Sequence, residues 1–434
     1  MEYYQSLPDK LAITASERVL AMVVKDHVAR IIDTFPAAQV CPNFAELLAS
    51  AQESPKLRHW LSVSRNLLRA KARTIDPEPR FMAHFEIDSL DRDRLAELHG
   101  FRAIEIALDT SLKLKKAFSI NVENILCPTK WHIWNHGTFL VPENSNGLSI
   151  KIESSGSGML TFGEHRVSLS QKLSVTNKIG FIPDISLSTS SGDVVIASNI
   201  SGLGDAYHSN APVIKSVTAL KKWSETLEKA ISILSEIDQE LAAGCLRLSV
   251  AICPLHCGGT SFGSSSPGDI IGLVFLPGVE DPYDVAECLL HESLHQKLYH
   301  AEEGAQLFVG ENGDHEIYYS PWRSDPRPLR MLVHGAFVFT GVAHLWKAIG
   351  ASANDDDRRR KAAYHLYYRA NQARRAMDVV AKYGEMTAFG SKVSSIVLDG
   401  INDVMEEFSG DVRLTKLCDD QLTEHLESHR RFKH

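Results

Sequence analysis

Apolar positions along this chain fall into two rhythms, and the change of rhythm divides it. In "SERVLAMVVKDHVARIIDTF" the residues Leu20, Val24, Val28, Ile31 and Phe35 recur at intervals of three and four, with Ser16 placed to cap. That spacing puts one apolar stripe on a helix. "DRDRLAELHGFRAIEIALDTSLKL" repeats it, so residues 1–125 are expected to form a helical N-terminal region. From 126 to 212 the period falls to two. In "GLSIKIESSGSGMLTFGEHRVSLS" the residues Leu148, Ile150 and Ile152, then Val167 and Leu169, alternate with polar ones around Gly/Ser turns. Alternation of this kind marks antiparallel hairpins with one buried face.

The third region, 213–434, returns to helices after a short mixed stretch. Leu220, Trp223, Leu227, Ile231, Leu234, Ile237 and Leu241 keep the three/four spacing, and Gly244 is a natural stop. "CLRLSVAICP" and "IIGLVFLPG" read as strands on either side of the Gly/Ser loop "CGGTSFGSSSPGD". A helix is expected to start after Asp281 and run to about His300, and helices dominate again from about 326. The expected fold class is α+β: mostly helical, with a central strand-rich segment and one motif-bearing helix packed beside a small sheet.

Composition narrows the class of function. The 434 residues carry a net charge of −8 and no dominant basic stripe, which argues against nucleic acid as a partner. The basic run Arg358-Arg359-Arg360-Lys361 follows Asp355-Asp356-Asp357 and reads as a capped, charge-paired helix start. No secretion signal and no uninterrupted apolar run of membrane-spanning length is evident. The seven cysteines are odd in number and scattered, as reduced thiols of a cytoplasmic protein would be.

The chemistry concentrates in "AECLLHESLHQKLYH", where His291, Glu292 and His295 form H-E-x-x-H. On a helix, positions i and i+4 share a face, so both imidazoles can address one divalent metal. In zinc peptidases that spacing makes the glutamate the base that activates water. Two histidines need a third ligand. The metzincin position for a third histidine is Ala301 here, which excludes that class. Glu302, Glu303, Glu311 and Glu316 are carboxylates downstream, none with the flanking pattern of a gluzincin ligand. His334, in "DPRPLRMLVHGAFVFTGVAHLW", is the better candidate: Pro326 and Pro328 suit a helix start, and Gly335 permits close packing against another helix. His344 is the next choice. Three imidazoles suit zinc hydrolysis or non-haem iron, and spacing does not choose between them.

Arg323, Arg327 and Arg330 crowd the approach to His334. Their planar forks suit a carboxylate, either a peptide C-terminus or the distal carboxylate of 2-oxoglutarate; a salt bridge to Asp325 or another acid is the plainer role. Two further groups carry little. "EHLESH" also places His425 and His429 at i and i+4, but in a charged, exposed helix end. "CPLHC" (Cys253, His256, Cys257) lacks a matching second pair for a zinc site, and the loop residues Gly258, Gly259, Thr260 and Ser261 lack a phosphate-binding lysine.

"LLHESLHQKL" followed by "YYSPWRSDPRPLRMLVHGAFVF", with "GGTSFGSSSPGDI" upstream, resembles the H-E-x-x-H peptide-modification proteins of ribosomal peptide natural-product clusters. The resemblance covers about 253–346. It implies an iron(II)- and 2-oxoglutarate-dependent enzyme that hydroxylates β-carbons of residues in a precursor peptide. His291, His295 and His334 would then ligate Fe(II), Arg327 or Arg330 would hold the cosubstrate, and Glu292 would orient ligands. The competing expectations are a zinc (Zn) metallopeptidase with Glu292 as general base, and a catalytically idle protein that recruits a leader peptide. Whether the N-terminal region grips the precursor or forms a homodimer stays open.

Overall fold

A computed structural model describes residues 39–40, 43–51, 54, 56–63, 92–169, 174–175, 179–189, 192–197, 214, 216–256, 263–268, 270–314, 316–406, 408 and 411–429. The amphipathic pattern over 20–35, Cys257 and the loop residues 258–261 lie outside the described residues. The fold is α+β, with helix outweighing strand at 55% against 20% of the described residues.

In chain order the described elements are β1 (Gln39–Val40), α1 (Phe44–Ala49), α2 (Arg92–Leu114), β2 (Phe118–Leu126), β3 (Lys130–Ile133), β4 (Gly137–Leu140), β5 (Asn146–Ile152), β6 (Gly158–Phe162), β7 (His165–Leu169), β8 (Ser174–Val175), β9 (Gly180–Pro183), β10 (Ile185–Thr189) and β11 (Gly192–Ile196). After these come α3 (Val217–Ile237), α4 (Gln239–Arg247), β12 (Ala251–Leu255), β13 (Leu273–Pro277), α5 (Pro282–Glu302), β14 (Ile317–Tyr318), β15 (Arg327–Pro328), α6 (Leu329–Ser352), α7 (Asp356–Tyr383), α8 (Ala388–Glu406) and α9 (Val412–Ser428).

Two compact units result. One gathers Leu227–Leu248 and the chain from Asp281 onward; the other gathers the described chain up to Thr226 together with Ser249–Glu280. One boundary between them falls inside α3.

The second unit holds the larger sheets. A six-stranded sheet runs in the order β1-β2-β5-β6-β7-β8, with antiparallel neighbours throughout. Leu148, Ile150, Ile152, Leu160, Phe162, Val167 and Leu169 are buried, as period-two alternation demands. They share one core with Phe101, Ile104, Ala107 and Leu108 of α2. A separate sheet, β10-β11-β12-β13, is parallel between β11, β12 and β13. Every residue of β12 and β13 is buried, as in strands covered on both faces.

The helix expected to stop at Gly244 does something else. It ends at Ile237, and Asp238 starts a new helix by accepting the backbone N–H groups of Glu240 and Leu241. That helix runs through Gly244 to Arg247, so Cys245 and Leu246 are helical and the strand begins only at Ala251. An aspartate cap outweighed a glycine whose helix penalty is only about 1 kcal/mol.

In the first unit, α5 begins where expected. Asp281 accepts the N–H of Tyr283, and Pro282 fills the first turn, where a missing N–H costs nothing. The acidic run before α7 also acts as a cap: Asp355 accepts the N–H of Arg358, while Arg359 and Arg360 pair with Asp356 and Asp357. Helix α6 is long and apolar enough to cross a membrane by length and composition alone, but 83% of its most apolar stretch is buried within the fold. It is a core helix, and it carries His334.

Candidate metal centre

The site is built on one face of α5. Glu287, His291, His295, Tyr299 and Glu302 are spaced by four, four, four and three residues, so they form a single row along the helix. Val285, Leu289, Leu290, Leu294 and Leu298 are buried on other faces and anchor it. His291, His295 and Tyr299 are half-buried, and Glu292 is only 2% exposed.

Helix α6 supplies the other wall. Its His334 is fully buried, with its ring 5.8 Å from His295 in near-parallel planes and 4.6 Å from Tyr299. The rings of His291 and His295 lie 4.9 Å apart. The structure therefore brings the three expected histidines into one cluster within one compact unit. The Nδ1 atoms of His295 and His334 are buried with no hydrogen-bond partner among the described residues. Unpartnered buried ring nitrogens are costly and call for an explanation. Burial pushes His291 down to about 4 and His295 well below the usual imidazole value; it also lowers His334, against the opposing pull of Glu302. All three are neutral at pH 7, the form in which imidazole donates a lone pair to a metal.

The donor chemistry fits a borderline transition metal such as Zn or Fe(II). The cluster is nonetheless not a closed ligand set: among the described residues no three His, Cys, Asp or Glu side chains stand ready around one point. His334 is held elsewhere. Its Nε2 lies 2.6 Å from Oε2 of Glu302, and Glu302 also accepts Nε and Nη2 of Arg330 at 2.7 and 2.9 Å. Glu302 is the last residue of α5, two turns beyond His295, and it was passed over in the sequence for want of a gluzincin flanking pattern. Its spacing in the row was the available signal.

The three arginines all have acidic partners. Arg330 is committed to Glu302, while Arg323 and Arg327 share Asp325 at 2.7 and 2.8 Å. Arg327 keeps a buried Nε with no partner among the described residues, and its acid is half exposed. It opens β15, whose pairing with β14 closes the excursion that carries Ser320, Pro321 and Trp322. The tip is pinned where Gln372 of α7 donates to the carbonyl of Pro321 at 2.9 Å.

Gly335 does not make room for a helix. A Cβ there would stand 2.0 Å from Cζ2 of Trp322, so the glycine accommodates an indole. Trp322 meets Phe339 at 5.1 Å, and Phe339 meets His291 edge-on at 5.1 Å. Behind this wall, Glu287 accepts Trp346 Nε1 at 2.7 Å and Arg369 Nη2 at 3.0 Å, and the Arg369 guanidinium lies 4.8 Å over the Phe339 ring.

Two other candidates lie apart from the cluster. His344 faces Asp403, with Nδ1 3.5 Å from its carboxylate. His425 and His429 are not simply an exposed helix end: His425 Nδ1 is 2.9 Å from the buried Tyr319 hydroxyl, and the two imidazole rings stack at 4.5 Å. No family model matches the chain, and a search of curated proteins finds no match.

Proposed function

We propose that this protein is an iron(II)- and 2-oxoglutarate-dependent hydroxylase that oxidises a residue, at a β-carbon, in a ribosomally made precursor peptide, working in the cytoplasm. The observation that carries this reading is the third imidazole: His334 joins His291 and His295 in one cluster with two ring nitrogens unpartnered among the described residues. His291, His295 and His334 would hold the metal. Iron, oxygen and 2-oxoglutarate, when bound, supply the oxidising power for C–H hydroxylation. The chain's own work is placement. Arg327 is the preferred anchor for a cosubstrate carboxylate, because its Nε has no partner among the described residues whereas the Nε and Nη2 edge of Arg330 is taken up by Glu302. Trp322 and Phe339 wall the His291 side with apolar rings and keep water from the reacting carbon.

Glu292, 2% exposed, suits an orienting role better than a base in open contact with water. A zinc metallopeptidase is the second reading, favoured by the 4.0 Å between Glu292 Oε1 and His291 Nε2. The experiment loads the protein anaerobically with iron(II), adds 2-oxoglutarate and oxygen, and measures succinate beside zinc-loaded and His334→Ala controls. Succinate from the iron form alone is the expected result. Absence of both succinate and 2-oxoglutarate binding, with peptide cleavage by the zinc form that Glu292→Gln abolishes, establishes the peptidase instead. In the oxygenase, Arg327→Met weakens 2-oxoglutarate binding by roughly 10-fold or more, the cost of a lost charge-assisted bond. Titration of the iron form, read by its visible charge-transfer band, measures that loss.

A further inference from the structure

We infer that the Glu302–Arg330 pair fixes the tautomer of His334, placing its proton on Nε2 and leaving Nδ1 as the nitrogen that meets a metal. The inference rests on the reading of His334 as a ligand, and it settles a question that reading leaves open, namely which of two ring atoms does the binding.

The geometry leaves one arrangement of protons. Glu302 lies with Oε2 2.6 Å from His334 Nε2, and it accepts both Nε and Nη2 of Arg330. The guanidinium of Arg330 grips both carboxylate oxygens of Glu302 in a two-pronged ion pair, which favours the charged form. Glu302 is thus an ionised acceptor with no proton to give. A contact this short between a ring nitrogen and an ionised carboxylate requires the hydrogen on the ring, so Nε2 is the donor. The other nitrogen, Nδ1, is buried with no partner among the described residues. A proton there would make a buried cation with an unaccepted N–H, the costliest of the available states. Nδ1 therefore carries a bare lone pair.

A histidine whose far nitrogen donates to a carboxylate is the usual way a protein fixes the ring of a metal ligand and raises its basicity. The same arrangement explains why an arginine beside the cluster is spent on a glutamate. Arg330 keeps Glu302 ionised and in place, so it acts through Glu302 on His334. Both are positioning residues. The row on α5 supplies the rest, since Glu302 stands on the face that already carries His291 and His295.

The test uses full-length, metal-free protein labelled with nitrogen-15 in histidine, with long-range proton–nitrogen correlation spectra and zinc as the probe. His334→Gln assigns the ring. Wild-type His334 is expected to show a protonated Nε2 and an unprotonated Nδ1, with Nδ1 the nitrogen that shifts on adding zinc. Glu302→Leu removes the acceptor and should scramble the tautomer; Glu302→Gln, which keeps an acceptor oxygen, should restore it in part. Zinc affinity, by competition with a chromophoric chelator, should fall roughly 10-fold or more in Glu302→Leu and less in Glu302→Gln. Thermal melts confirm that each variant is folded. A protonated Nδ1 in the wild type, or a zinc-induced shift at Nε2, overturns the inference. If neither His334 nitrogen responds to zinc while His291 and His295 do, the ligand reading of His334 has failed. The tautomer, read without metal, is then tested separately by the metal-free spectra.

Discussion

Gly335 shows how much one missing carbon can position. Its Cα lies against the Trp322 indole so closely that a methyl group would sit 2.0 Å from Cζ2. Relief requires the indole to leave, because helix α6 is buried and cannot back away. Gly335→Ala should therefore cost about 1–3 kcal/mol from overpacking, despite the better helix propensity of alanine. The displaced ring also uncovers Phe339 and, through it, His291. A lower urea midpoint together with altered tryptophan fluorescence checks this; an unchanged midpoint shows that Trp322 has another place to go. The residue was visible in the sequence as a helix-packing glycine, but its true neighbour, thirteen positions upstream, lies at the tip of an excursion that no periodicity announces.

At the scale of elements, buried charge tells where a helix has been committed to one neighbour. Lys56 is buried and bridges Glu105 and Asp109 of α2 at 2.8 and 2.7 Å. Replacing only the cation leaves two carboxylates in the protein interior, so Lys56→Met should destabilise by about 3–5 kcal/mol. Chemical denaturation measures it, and a loss below about 1 kcal/mol would mean that water reaches the acids. The elements themselves were largely legible. Alternation marked the buried positions of β5 and β7, and Asp281 marked the start of α5, because these signals are local. The break at Asp238 was missed since an unbroken apolar rhythm ran across it. The tie from Glu302 to His334 and Arg330 was missed for another reason: it joins residues 32 and 28 positions apart across two helices. The row of His291, His295, Tyr299 and Glu302 was present in the spacing all along.

For the whole molecule, the unit that carries the histidine cluster is built from groups whose protonation burial resists on both sides of neutrality. Burial raises Cys245 to about 12 and Cys418 to about 11, and Tyr318 and Tyr319 each to about 12. Free thiols ionise near 8.5 and phenols near 10. Between roughly pH 9 and 12 the unfolded chain therefore gives up protons that the folded chain keeps, and stability falls as pH rises. The acid side runs the other way. Burial lowers His344, His365 and His425, so as pH drops below about 6.5 the unfolded chain takes up protons that the folded chain refuses, and stability falls again. A plateau between about pH 6.5 and 9 follows, and it belongs to this unit whether or not a metal is bound. Urea midpoints of the metal-free protein, taken from pH 5 to 11 and followed by the near-ultraviolet signal of Tyr and Trp side chains, should trace that plateau with a shoulder falling on each side. Stability that continued to rise above pH 9 would contradict the burial of these thiols and phenols. Alkylation gives an independent check, because Cys245 should stay unmodified at pH 8.5 in the folded protein and react once urea opens it.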